Sequence, residues 1–141
     1  MQKKISFIVD NKKLRGTLII PKHRHSGTSA VLFIHGWTSS EKGYIPRAQV
    51  ISKLGYVCLT FSMRGHGESE GNLENLSRED HIKDCSAAYD FLATQPSVDR
   101  DRIHVVGASY GGYMASLLST KRPIASLVLR APALYPDEKF R

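Results

Sequence analysis

Short, uninterrupted apolar segments alternate with helical patterns along this chain, and that alternation restricts its possible folds more than any other feature. The apolar segments are residues 30–34, 56–61, 103–106 and 126–129. The helical patterns fall between them, at residues 44–54, 77–93 and 110–120. Apolar runs of this length are typical of strands buried on both faces of a parallel sheet. Their alternation with helices predicts parallel strands joined by right-handed crossovers.

The N-terminal part of the chain predicts an antiparallel hairpin in front of these units. Apolar and polar residues alternate over residues 5–9 and again over residues 14–20, and the turn signal Asp10-Asn11 lies between the two stretches. We therefore expect an α/β fold, a three-layer α/β/α sandwich around a mostly parallel sheet with an N-terminal antiparallel hairpin. The chain should form a single domain over residues 1–141.

Composition argues against several classes of protein. The formal net charge is +7, with many basic residues near the N-terminus. These residues flank no aromatic stacking platform and form no nucleic-acid-binding module, so we expect no nucleic-acid partner. No segment approaches the roughly 18 apolar residues of a membrane helix, and the N-terminus has no signal-peptide core. We therefore expect no membrane partner and a cytoplasmic location. Cys58 and Cys85 lack CxxC spacing and indicate small buried thiols.

A G-x-S-x-G motif lies between the third apolar segment and the helical pattern that follows it. Its residues are Gly107-Ala108-Ser109-Tyr110-Gly111. A strand, a sharp turn and a helix in this order are typical of a nucleophile elbow, in which a strained turn projects the serine hydroxyl from the sheet. Side chains at positions 107 and 111 would crowd such a turn. The helix N-terminus behind the serine suits a developing oxyanion. We predict that Ser109 is the catalytic nucleophile.

Acyl transfer needs two backbone N–H donors directed at the oxyanion. One candidate is the N–H of Tyr110, directly after Ser109. The other is the N–H of Trp37, in the sequence His35-Gly36-Trp37 that follows the first buried parallel strand. His35 could be taken for a catalytic base, but it lies at a strand end before the nucleophile, where it is expected to fix the loop instead.

Two further groups of polar residues require an interpretation. His66, Glu68 and Glu70 lie in a glycine-rich loop and could be drawn as a metal cluster, but no other ligand spacing supports one. We expect neither a metal nor a cofactor. Residues 80, 81 and 84 (Asp80, His81 and Asp84) lie along one helix, and we interpret them as a solvated surface.

Three motifs in order resemble the α/β-hydrolase family. They are His35-Gly36 after one strand, Arg64-Gly65-His66-Gly67 after the next, and residues 107–112 after the third. Residues 14–21 and 98–103 are also similar to the branch that holds dienelactone-hydrolase-like and prolyl-oligopeptidase-like enzymes. The resemblance implies an eight-stranded, mostly parallel sheet. It also implies a serine after strand five, an acid after strand seven and a histidine after strand eight.

The sequence departs from this pattern after the serine. Residues 126–129 correspond to strand six, Asp137 comes too early for the triad acid, and no histidine follows His104. Ser62 stands where many members carry Asp, at a position that is usually structural. We therefore expect an incomplete, C-terminally truncated fold with about six of the eight strands. The chain alone should be nearly inactive, because serine is a poor nucleophile without an adjacent base.

These features lead to a functional expectation with open alternatives. The leading expectation is a serine hydrolase that cleaves carboxylic ester or related acyl bonds of a small-molecule substrate through an acyl-enzyme on Ser109. The alternatives are a truncated or non-catalytic protein with a binding or assembly role, and a peptidase or acyltransferase on the same scaffold. The sixth strand would form an open apolar edge, so self-association through it is also expected.

Overall fold

A computed structural model describes residues 1–133 of the chain. Within them, the strands are β1 (Gln2–Val9), β2 (Lys12–Ile19), β3 (Thr28–Ile34), β4 (Val57–Phe61), β5 (Val98–Ala108) and β6 (Ser126–Arg130). The α-helices are α1 (Ile45–Lys53), α2 (Arg78–Ala93) and α3 (Tyr110–Leu118). Short 3₁₀ helices cover Glu41–Tyr44 and Leu73–Asn75. None of the described helices is both long and apolar enough to cross a lipid bilayer.

All six strands form one sheet in the order β1-β2-β4-β3-β5-β6. The β1–β2 and β2–β4 pairs are antiparallel, and the β3–β4, β3–β5 and β5–β6 pairs are parallel. The predicted N-terminal hairpin is therefore confirmed. Asp10 and Asn11 form its turn with φ values of 48° and 63°, which suits a two-residue turn of the type that matches strand twist.

Helices cover both faces of the sheet. Alternate residues of β3 belong to two separate apolar clusters: Leu32 and Ile34 pack with residues of α2 and α3, whereas Val31 and Phe33 pack with Ala48 of α1. Side chains alternate between the faces of a strand, so the two clusters lie on opposite sides of the sheet. The predicted α/β/α sandwich is confirmed, as an incomplete α/β-hydrolase fold with six strands.

Local signals fix the ends of the helices. Ser77 and Asp80 form a capping box at the start of α2, in which the Ser77 hydroxyl accepts from the Asp80 N–H at 3.2 Å and the Asp80 carboxylate accepts from the Ser77 N–H at 3.0 Å. Helix α1 was expected from Tyr44, but Tyr44 belongs to the preceding 3₁₀ helix and α1 begins at Ile45. Gly55 follows α1 with a φ of 103°, a conformation that suits glycine and ends the helix.

The two cysteines are buried and unpaired, as predicted. Burial raises the pKa of the Cys58 thiol to about 12 and the pKa of Cys85 well above its usual value. Both thiols are therefore protonated at neutral pH, the form in which a thiol is a poor nucleophile.

The prediction that Asp80, His81 and Asp84 form a solvated surface is wrong for two of the three. His81 is 1% exposed and Asp84 is 0% exposed. The cause is helical spacing, because His81 lies four residues before the buried Cys85 and Asp84 lies four residues before the buried Ala88. Residues four apart share a helix face, so both polar side chains point toward the sheet and its loops.

Strand β6 forms one edge of the sheet within the described residues, because it pairs with β5 alone. All five of its residues are exposed, including Leu127, Val128 and Leu129. This arrangement agrees with the expected apolar edge.

Candidate active site

Ser109 occupies a strained turn between β5 and α3. Its backbone has φ 55° and ψ −121°, and its side chain is exposed. The Ser109 N–H donates to the Arg130 carbonyl at 3.0 Å, and the Ser109 carbonyl accepts from the Ala133 N–H at 3.0 Å. Ser109 is the N-cap of α3, but its hydroxyl makes no capping hydrogen bond. The surrounding backbone therefore holds an unfavourable conformation that leaves the hydroxyl available.

The glycines around this turn permit a close approach of backbone segments. A Cβ atom on Gly111 would lie 2.5 Å from the His35 carbonyl oxygen and closer still to that of Ile34. A Cβ atom on Gly107 would lie 2.9 Å from the Gly112 nitrogen. These contacts confirm that side chains at positions 107 and 111 would crowd the turn.

The loop after β3 lies directly beside the serine. A Cβ atom on Gly36 would be 3.7 Å from the Ser109 Cβ. The Trp37 ring packs edge-on against the Tyr110 ring, with centroids 5.1 Å apart. Among residues 1–133, no group accepts a hydrogen bond from the Trp37 amide. The structure thus brings together the three residues singled out from the sequence, Ser109, Trp37 and Tyr110.

Backbone strain extends to the neighbouring loops at the same edge of the sheet. Thr38, after β3, has a φ of 60°, and Ala131, after β6, has a φ of 45°. Such values are outliers for residues with a Cβ atom, and especially for a β-branched one. With Ser109, strained residues follow three adjacent strands at their carboxyl ends. Strain of this kind clusters at functional sites, and nothing in the sequence pattern had indicated Thr38 or Ala131.

His35 fixes the loops around the serine. Its Nε2 accepts from the Met63 N–H at 3.0 Å, and its Nδ1 donates to the Gly36 carbonyl at 2.7 Å. Burial lowers the pKa of His35 to about 4. Because both nitrogens of this neutral ring are already bonded, His35 cannot serve as a base for Ser109, in agreement with the structural role predicted for it.

A buried ion pair holds the loop that follows β4. The Arg64 guanidinium donates to Asp84 from Nε at 2.9 Å and from Nη2 at 2.8 Å, and the Arg64 backbone N–H donates to the same carboxylate at 2.8 Å. Arg64 Nη2 also donates to Asp10 in the β1–β2 turn at 3.1 Å. Burial raises the pKa of Asp84, and the hydrogen bonds from Arg64 oppose that rise. The pair joins α2, the hairpin and the loop.

The Arg64 carbonyl lies between two imidazoles. It accepts from Nδ1 of His66 and from Nε2 of His81, each at 3.2 Å. The other nitrogen of His81, Nδ1, lies 2.7 Å from the Tyr110 hydroxyl. Burial lowers the pKa of His81 to about 4 and lowers that of His66 as well. Among the described residues, His66 Nε2 is the one buried side-chain nitrogen or oxygen without a hydrogen-bond partner.

The remaining sequence candidates take ordinary structural positions. Within residues 1–133, no three His, Cys, Asp or Glu side chains are grouped as metal ligands, so His66, Glu68 and Glu70 form no such cluster. Ser62 is fully buried, and its hydroxyl accepts from the Glu41 N–H at 3.1 Å. Its role is therefore structural, as predicted. Asp137 lies outside the described residues.

The serine has no base in the described part of the chain. No side chain among residues 1–133 forms a hydrogen bond with the Ser109 hydroxyl. The nearby imidazole nitrogens are bonded elsewhere, apart from the buried Nε2 of His66.

Comparison with known proteins agrees with this geometry. The family model described as serine aminopeptidase, S33, matches residues 26–141. The chain belongs to this family of α/β hydrolases. A thiohydrolase of Aspergillus aculeatus is 35% identical to this chain over 109 residues, which are 76% of this chain and 33% of the relative. A thermostable monoacylglycerol lipase of Bacillus sp. strain H-257 is 26% identical over 103 residues, 73% of this chain and 40% of the lipase.

Solved structures give the same fold. The α/β hydrolase GrgF from Penicillium sp. sh18 superimposes with a TM-score of 0.82 at 22% identity, over 94% of this chain and 46% of that protein. The chain thus spans about a third to a half of the length of the relatives that it matches.

Proposed function

We propose that this α/β hydrolase cleaves carboxylic esters or related acyl bonds through an acyl-enzyme on Ser109. The observation that carries the proposal is the strained, exposed conformation of Ser109, whose hydroxyl is left out of the helix cap. A serine that served only the turn would be expected to cap the helix with its side chain. The proposed reaction uses no metal or organic cofactor.

In the proposed mechanism the Ser109 Oγ attacks the substrate carbonyl carbon while its proton passes to a base. The negative charge that develops on the carbonyl oxygen is stabilised by the backbone N–H groups of Trp37 and Tyr110. Collapse of this intermediate expels the leaving group, which takes the proton from the base, and forms the acyl-enzyme. A water molecule then loses a proton to the base and attacks the acyl carbon. Collapse of the second intermediate releases the acid and returns the proton from the base to the Ser109 Oγ.

The base and its acid partner are proposed to come from sequence outside the 141 residues, because no histidine follows His104 and because His35 and His81 already use both ring nitrogens in hydrogen bonds. The second candidate is a non-catalytic protein that keeps the fold for binding or assembly. The candidates differ in one measurable respect, which is whether the full chain as its gene encodes it turns over an acyl substrate.

The names of two relatives support a choice among acyl bonds, because one is a thiohydrolase and the other a monoacylglycerol lipase. The alkoxide of an ester and the thiolate of a thioester both leave a tetrahedral intermediate more readily than the amide anion of a peptide. We propose an oxygen ester or thioester in preference to a peptide or an acyl-transfer partner. Cleavage of an aminoacyl anilide, without cleavage of either ester, would favour the peptidase alternative.

The test is hydrolysis of p-nitrophenyl acetate and of an acyl thioester by the full chain. Ser109→Ala should abolish turnover, because removal of a triad serine costs about 2 × 10⁶ in kcat in a well-studied serine protease. Ser119→Ala is the matched control, since Ser119 is an exposed serine at the other end of α3. Equal activity of Ser109→Ala and the unmodified protein would refute the proposal, and a folded protein without turnover would support the non-catalytic candidate.

A further inference from the structure

His81 lies in α2 and contacts both residues proposed to donate to the oxyanion. Its Nδ1 lies 2.7 Å from the Tyr110 hydroxyl. Its ring also packs against the Trp37 indole, with centroids 5.8 Å apart. His81 is 1% exposed, so its ring contacts other groups of the protein and not solvent.

The direction of each hydrogen bond to His81 follows from its partners. A carbonyl oxygen only accepts, so the Arg64 carbonyl at 3.2 Å requires a proton on His81 Nε2. Neutral imidazole carries one proton, and Nδ1 is therefore an acceptor. The Tyr110 hydroxyl donates to it. This bond ties the phenol end of Tyr110 to α2, while the backbone end of Tyr110 begins α3.

The residue that accepts the His81 Nε2 hydrogen bond is itself held by hydrogen bonds. Arg64, whose carbonyl accepts from His81, is anchored through its own N–H and guanidinium to Asp84, one helical turn further along α2. The hydrogen bonds that link Arg64, His81 and Tyr110 are thus held at both ends by helices, because Asp84 lies in α2 and Tyr110 begins α3. A displacement of Tyr110 requires the loss of a buried hydrogen bond, which leaves a polar group unpaired.

We propose that His81 is a positioning residue that sets the oxyanion hole, by holding the Tyr110 side chain and supporting the Trp37 ring against it. The proposal rests on the proposed function of the Tyr110 and Trp37 amides. The proposal is supported by the packing of three rings: those of Trp37 and Tyr110 lie 5.1 Å apart, and both contact the His81 ring. A shift of about 1 Å in such donors costs roughly 100-fold in rate.

The kinetic test compares substitutions that keep or remove one bond. In the full chain, Tyr110→Phe removes the donor and His81→Gln removes the acceptor at the Nδ1 position. Each should lower kcat on p-nitrophenyl acetate roughly 10- to 100-fold with little change in KM. His81→Asn places an oxygen where Nδ1 lies and should recover most of the loss. Tyr113→Phe, a matched change on α3 at a hydroxyl bonded to Arg78, should leave kcat unchanged.

Two comparisons decide the outcome. The double variant Tyr110→Phe with His81→Gln should be no slower than the worse single variant, since both remove the same bond. Additive losses, an unchanged kcat in Tyr110→Phe, or an equal loss in His81→Asn and His81→Gln would each overturn the proposal. If His81→Gln does not fold, as judged by circular dichroism, Tyr110→Phe alone decides it.

A second readout separates this proposal from the proposed function. Nuclear magnetic resonance of ¹⁵N-labelled protein should show the backbone amide signals of Trp37 and Tyr110 shifted in Tyr110→Phe or His81→Gln and retained in Tyr113→Phe. These shifts do not depend on turnover. If Ser109→Ala proves as active as the unmodified protein, the proposed function fails while the amide shifts still report on positioning. Unchanged Trp37 and Tyr110 amides would overturn the positioning role.

Discussion

Acidification should destabilise this fold through its buried imidazoles, and most strongly through His35 and His81. His35 and His81 are each 1% exposed, and burial lowers the pKa of each from 6.5 to about 4. As the pH falls below 6.5, the unfolded chain takes up a proton at each site, whereas the folded protein resists protonation until the pH nears 4. The stability that the neutral rings contribute is therefore complete above pH 6.5 and is lost as the pH falls toward 4.

The size of the effect follows from the two pKa values. Between about pH 7 and about pH 5, a group with an unfolded pKa of 6.5 and a folded pKa of about 4 lowers the free energy of unfolding by about 2 kcal/mol. The two histidines together give about 4 kcal/mol, a large part of the roughly 5–15 kcal/mol of a typical domain. Asp84 acts in the opposite direction, because burial raises its pKa.

Urea unfolding followed by far-ultraviolet circular dichroism at the two pH values measures this loss. The variants His35→Asn and His81→Asn each remove one titrating ring while keeping a polar group at the Nδ1 position. Each variant should lose only about half as much stability as the unmodified protein over the same pH interval. A loss below about 1 kcal/mol in the unmodified protein, or an equal loss in the variants, would refute the reasoning.

Three further predictions concern the fold and its edge. Gly111→Ala should destabilise the protein by about 3 kcal/mol or more in thermal melts, because the new Cβ would meet backbone oxygens at 2.5 Å or less. Gly43→Ala is the control and should be nearly neutral, because its Cβ would meet a side chain at 3.6 Å. Asp84→Ala should cost about 3–5 kcal/mol in urea unfolding, because it leaves the buried Arg64 guanidinium without its main partner. The 141-residue chain should self-associate with rising concentration through the exposed β6 edge, as measured by sedimentation velocity. Val128→Lys should suppress this self-association. A monomer at all concentrations would contradict the prediction.

Much of the fold was predictable because its signals are local. Uninterrupted apolar runs identified strands β3, β4, β5 and β6, although β6 is exposed, and the helical pattern over residues 77–93 located α2. Strand order was not predictable in this way. The insertion of β4 between β2 and β3 depends on pairing between distant segments, which periodicity does not encode. Strand β5 also begins at Val98, earlier than its apolar core indicates, since its first two residues are only half-buried and the next three are exposed.

The centre of the candidate site was predictable, but its support was not. The glycine motif located Ser109 and thereby Tyr110, and the strand end located Trp37. The burial of His81 and Asp84 was not predicted, because polar residues of a helix are expected on its solvated face. Both lie four residues before a buried residue of α2, and that spacing was the available signal. Their burial is tolerated because Arg64 satisfies the carboxylate and, through its carbonyl, the imidazole.

The role of Ser109 as nucleophile is tested most directly by covalent labelling. The full chain as its gene encodes it is treated with a fluorophosphonate, and intact mass and peptide mapping then locate the adduct. A single phosphonate on Ser109, absent from Ser109→Ala and retained in Ser119→Ala, is the result that our account predicts. A protein that is folded by circular dichroism yet carries no adduct, or carries it on another residue, would contradict the account.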